Sequence, residues 1–335
     1  MNKPVTRTRS CHPLSQAKLS LLLAIVLGLH FHSVNAHAGT VLAAGLNHSL
    51  AVKPDGTLWA WGDNSNGEIG VGSTAPYYYP TQVASLSSVQ STSAGYNFSV
   101  ALTSDGTVWA WGTNAYGQVG DGTTTQRASP VQVTGLSGIT AISAGYQFCL
   151  ALKSDGTVWS WGYNGYGQLG DGTTNQRNSP VQVVGLGGIV AVAAGGQHSL
   201  ALASDGSVWA WGYNGYGQLG SSGGNSSTPV HIGMVSNIIG ISAGYFHSLA
   251  LKNDGTLWAW GSNSSGQLGT GNTSSATTPV QVGGIANAAT VVAGQYHSTA
   301  ILNDGSVVTW GSNSYGQLGD GTTSNSLTPD STRSL

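Results

Sequence analysis

Within the repeats histidine stands directly before serine four times, at His48, His198, His247 and His297. Imidazoles recurring on one beat could serve as bases beside a hydroxyl or as a set of metal ligands. The corresponding places in the second and third units hold Phe98 and Phe148. A catalytic or ligating position does not alternate with Phe inside one molecule. Each His is therefore expected to be buried in its own unit, bonded to a local backbone group. Asp-Gly recurs at Asp55, Asp105, Asp155, Asp205, Asp254 and Asp304. Six carboxylates on one beat could form a ring, but Asp-Gly adopts the positive φ angles of a type I′ turn, so these read as hairpin corners. Asp121, Asp171 and Asp320 are replaced by Val71, Ser221 and Thr270 in the other units, which argues against a calcium ring. The glycines of GYGQLGDG carry no Lys and precede no helix, so they make a poor phosphate loop. HExxH, paired cysteines and a nucleophile elbow are all missing from the sequence. No catalytic residue, metal site or cofactor is assigned, and the chain is read as a non-enzyme.

These residues ride on a repeat. Trp61, Trp111, Trp161, Trp211, Trp260 and Trp310 each precede Gly, at spacings of 50, 50, 50, 49 and 50 residues. An Ala-Gly pair keeps the same beat, and a period near fifty marks a propeller or a solenoid. Within a unit, PVQV reads as an edge strand entered through Pro. GIVAVAAG reads as a strand buried on both faces, HSLALAS as a third strand and SVWAWG as a fourth, with the Asp-Gly corner between the last two. Four short strands per unit describe a propeller blade. Period-two alternation sends Trp59 and Trp61 to one side of their strand, a pairing repeated down the chain and assigned to the core between blades. GQLG is read as the turn between blades, with Leu169 filling an apolar gap.

Composition fits that picture. The 335 residues include 51 Gly, and 7% are charged. Polar surface must then come from Ser, Thr, Asn and Gln. Residues 1–38 read as a secretory signal: Lys3, Arg7, Arg9 and Lys18, then an apolar run from Leu19 to Leu29, then cleavage after Ala36 or Ala38. That segment holds four of the ten basic residues and none of the twelve acidic ones, leaving a net charge of −6 on residues 39–335. An acidic, exported protein without a remaining membrane anchor is expected, secreted or periplasmic, and not a nucleic-acid binder. Cys149 is then the one cysteine left, so no internal disulfide is available.

What varies against the repeat is aromatic. The pairs before the His/Phe positions include Tyr96, Tyr146, Tyr245 and Tyr296, and the loops after Trp-Gly carry Tyr116, Tyr163, Tyr166, Tyr213, Tyr216 and Tyr315. Tyr on turn-rich segments interleaved with Asn and Gln is the composition of a contact surface. These ten Tyr are the candidate partner-binding residues.

The phrase AG–x–x–HSLAL–x–x–DGTVWAWG–x–N–x–x–GQLGDGTT…PVQV resembles the repeat of the regulator of chromosome condensation family, over about residues 39–328. The resemblance implies a β-propeller, seven-bladed in well-known members, with partner binding by loops at its rim. Six units here imply six four-stranded blades. Because the first unit has no preceding PVQV and the chain runs on past Thr328-Pro329, the C-terminal tail is expected to pair beside the N-terminal strand and close the ring, the alternative being an open ring or a truncated seven-bladed relative. A monomeric binding module with an unidentified protein or glycan partner is expected, and the resemblance implies a protein-binding mode like that of β-lactamase inhibitor proteins. Guanine-nucleotide exchange or chromatin-type regulation is the alternative, with glycan binding or an envelope structural role behind it.

Overall fold

The computed structural model describes residues 41–332; the expected signal segment lies outside them. They form an all-β, six-bladed propeller. The blades cover residues 41–82, 89–132, 139–182, 189–231, 238–281 and 288–331, each an antiparallel sheet whose four strands pair in chain order. In blade four the strands are Ile189–Ala194, His198–Ala203, Val208–Gly212 and Ser226–His231.

This order corrects the expected frame. The PVQ strand does not open a unit; it is the fourth strand of the blade before it, joined to the Trp strand by Trp159↔Gln182 in blade three. Proline explains the placement, since a residue without an N–H is tolerated at the outer edge of a sheet. Blade one is complete within its own unit, with Tyr77–Gln82 as its fourth strand paired through Trp59↔Gln82. The expected closing pair is therefore not formed: Ser326–Ser331 pairs with Val307–Gly311 in blade six, and Val41–Ala44 pairs with His48–Val52 in blade one.

The core lies between blades. Leu50, Val52, Leu58, Ile69 and Val83 of blade one pack with Ala101 and Trp111 of blade two, and four further clusters repeat this join as far as blades five and six. Trp111, Trp161, Trp211, Trp260 and Trp310 are completely buried. The preceding Trp of each strand lies on the same side but is half-buried, because it sits nearer the outer corner of the blade. Burying one indole removes about 200 Å² from water, roughly 5 kcal/mol gross before chain entropy is set against it.

The Asp-Gly corners are hairpin turns of another type than expected. Gly56 has φ +77° and its N–H donates to the Lys53 carbonyl at 2.9 Å, while Asp55 keeps a negative φ. That is a type I turn followed by a left-handed Gly, the three-residue hairpin loop. Asp stays because its Oδ1 accepts the Thr57 N–H at 3.0 Å and the Thr57 hydroxyl at 2.6 Å. These bonds hold the Asp55 carboxyl below the usual carboxylate range.

Candidate binding face

The loop joining first and second strands and the loop leaving the third strand emerge at the same end of every blade. In blade one the Asp63 N–H donates to the Asn47 carbonyl at 2.9 Å, tying the two loops together. An asparagine after each Trp-Gly shapes the longer loop. Asn164 is buried; its Oδ1 accepts the Leu169 N–H at 2.9 Å and its Nδ2 donates to the carbonyls of Thr173 and Asn175. Asn64, Asn114, Asn214, Asn263 and Asn313 take the same place. Gly170, at φ +68°, completes the turn, and a Cβ there would lie 2.7 Å from Nε1 of Trp211. The Gln168 carbonyl at its centre accepts both the Ser199 hydroxyl at 2.8 Å and the Trp211 indole N–H at 2.9 Å. Each such loop of blades one to five is thus pinned to the following blade.

The histidines belong to the same pinning. His48, His198 and His247 are buried as expected, but their partner is not local: Nε2 meets the hydroxyls of Ser99, Ser248 and Ser298 on the next blade at 2.9–3.1 Å. Desolvation lowers the imidazole pKa to about 4 for His48 and about 3 for His198 and His247. Neutral, enclosed rings cemented to a neighbour are structural. Phe98 and Phe148 fill the same place, and on the next blade the Cys149 thiol and Ser199 hydroxyl still reach the Gln118 and Gln168 carbonyls at 3.8 and 2.8 Å.

On this scaffold the two Tyr groups meet. The inner set runs Tyr96–Tyr146–Tyr245–Tyr296 with ring centroids 4.2, 5.4 and 5.6 Å apart. The outer set runs Tyr116–Tyr163–Tyr166–Tyr213–Tyr216, with neighbours at 4.9 to 6.3 Å. Phe246 bridges them, 4.4 Å from Tyr245, 5.7 Å from Tyr213 and 5.0 Å from Tyr216. Nine of the ten candidate Tyr therefore form one array with Phe246. Tyr315 is 95% exposed on blade six and stands apart from it. Burial raises the phenol pKa of Tyr146, Tyr163, Tyr245 and Tyr296, so these hydroxyls remain neutral. Phe246 was not among the residues singled out from the sequence. Its signal was present, since it takes the Asn/Gln position of the variable pair.

Comparison with known proteins agrees with this architecture. The RCC1-like domain family matches residues 25–198, and the regulator of chromosome condensation (RCC1) repeat matches residues 205–251, 254–301 and 304–335. The chain belongs to the RCC1 repeat family. No curated protein sequence matches it. Among solved structures it is similar to human WBSCR16, at 23% identity and a TM-score of 0.79 over 90% of this chain and 84% of that one. It is also similar to Prp20p of Saccharomyces cerevisiae, at 25% identity and a TM-score of 0.78 over 89% and 78% of the two chains. That study concerns binding of Prp20p to Gsp1p and histones. A second structure of yeast RCC1 (Prp20), bound to Kap60, matches at 24% identity with a TM-score of 0.78, covering 89% of this chain and 76% of that one. RCC1-like propellers are protein-interaction and regulatory modules, and the fold places this chain among them.

Proposed function

We propose that the chain is an exported, non-enzymatic binding module that captures a protein on its aromatic face. The observation that carries the reading is the unbroken Tyr/Phe array spanning blades two to six on one end of the propeller. Large, stiff, amphipathic rings give contact area at little conformational cost, the economy of paratope surfaces. Their neutral hydroxyls accept and donate without the desolvation cost of charge. Kap60, Gsp1p and histones, the partners of the yeast relative, are proteins, which favours a protein over a glycan here.

The test compares the wild type with the triple variant Tyr96→Ala, Tyr146→Ala, Tyr245→Ala as bait for envelope and culture-fluid proteins, and on a glycan array. A protein retained by the wild type and lost by the variant, with both baits melting cooperatively, supports the reading. Equal retention by both baits refutes it, and retention of glycans alone transfers the face to sugar binding.

A further inference from the structure

Five of the six joins around the ring obey one rule, and the sixth does not follow it. At each join the leading face of the later blade delivers a Trp indole N–H to the carbonyl of the Glu68/Gln118/Gln168/Gln218/Gln267 position at 2.8–2.9 Å. A Ser hydroxyl, or the Cys149 thiol, goes to the same carbonyl. At four joins the turn after GQLG also donates a backbone N–H to the next blade's fourth strand, as Gly72 does to Ala128 at 2.8 Å. Between blade six and blade one, no counterpart of any of these bonds is made among the described residues.

The groups left over form complementary sets. Blade one presents Ser49 and Trp61 on its leading face; Trp61 is half-buried where its five equivalents are completely enclosed. Blade six presents the Gln317 carbonyl, half-buried His297 and Gly319. A Cβ at Gly70, Gly120, Gly170 or Gly269 would meet the following Trp at 2.7–2.9 Å, but at Gly319 the nearest neighbour is the Thr332 side chain at 3.8 Å. Among the described residues no indole takes that place. Ile301 and Val307 of blade six are likewise less enclosed than Leu202 and Val208, their counterparts in blade four.

The geometry points to a docking site for one further blade of this same repeat, wedged between blade six and blade one. Its leading face must bring Ser (or Cys) and Trp to Gln317 and Gly319. Its trailing face must bring a His or Phe and a Gln-Leu-Gly turn to Ser49 and Trp61. Residues 1–40 cannot supply it, because they contain no Trp. A second copy of the chain fits less well. Its free leading and trailing faces are on blades one and six, at opposite ends of five packed joins, so it can satisfy one side of the seam but not both. A single wedge satisfies both.

The probe is a polypeptide with the sequence of residues 238–287, titrated against the full chain. Hydrogen exchange by mass spectrometry then reads the segments 41–62 and 288–331. A 1:1 complex that slows exchange in both segments at least about tenfold, and is lost in Ser49→Arg, is the expected result. Should the isolated unit not fold, the same sequence fused to the C-terminus of the full chain gives the second measurement. There the expected result is one cooperative melt at a higher midpoint, with the same two segments protected. A fused unit that melts separately and protects neither segment overturns the proposal. So does head-to-tail oligomerisation of the free chain, or mutual protection of the two segments before any unit is added.

Discussion

Replacing His198 by Phe tests whether the buried imidazoles are cement, and it does so through pH. The imidazole of His198 has its pKa lowered to about 3 by complete burial, against 6.5 when exposed. A depressed imidazole pKa means that the unfolded chain binds the proton first, so stability falls as pH drops below 6.5 towards the folded value. Between pH 7 and pH 5 the loss is about 2 kcal/mol for such a group. His48 and His247, lowered to about 4 and about 3, act in the same direction. Together the three remove roughly 5–6 kcal/mol, comparable with the whole stability of many domains. The hairpin Asp residues do not confuse this window. Their folded pKa values are depressed below the ordinary carboxyl value of 3.8, so their contribution is lost only at lower pH.

Phe is already tolerated at this position, for Phe148 holds it in blade three and the Ser199 hydroxyl of the next blade still donates to the Gln168 carbonyl at 2.8 Å. His198→Phe leaves Ser248 in that same arrangement, donating to Gln218 at 2.9 Å. It should cost about 1 kcal/mol at pH 7, one buried hydrogen bond, and lose about 2 kcal/mol less than the wild type on acidification to pH 5. The two stability curves must therefore cross. Urea unfolding followed by Trp fluorescence at pH 7, 6 and 5 measures this, and parallel curves with no crossing would refute the reasoning.

Other expectations follow from the same contacts. Glu68 is a buried carboxyl where the other blades have Gln, and desolvation raises its pKa. A raised carboxyl pKa destabilises the fold above that value, so Glu68→Gln should stabilise at pH 7 by about 1 kcal/mol or more, with the gain fading in acid; chemical denaturation across pH reads it. Trp211→Ala should cost about 3–5 kcal/mol, whereas Trp61→Ala, half-buried and without the carbonyl bond, should cost distinctly less; equal losses would contradict the open seam. Cys149 is buried and desolvation raises its thiol pKa well above the usual thiol range. It should stay unlabelled by a thiol reagent in native protein and react at once in denaturant.

The amino-acid order alone determined the repeat, the four strands of each unit, the position of every hairpin corner and the burial of the second Trp of each pair from blade two onward. All of these are local: alternation, turn chemistry and a fixed beat act within a few residues along one strand or corner. The tertiary structure alone decided which strand ends a blade, because Pro at an edge suits either end of a unit until the sheet is assembled. It decided that His48 answers to Ser99 and Trp111 to the Glu68 carbonyl, contacts set by how one twisted sheet leans on the next rather than by any pattern along the chain. The same curvature brought the inner and outer Tyr sets together through Phe246, and left Trp61 and Gly319 without the neighbours that five identical joins provide.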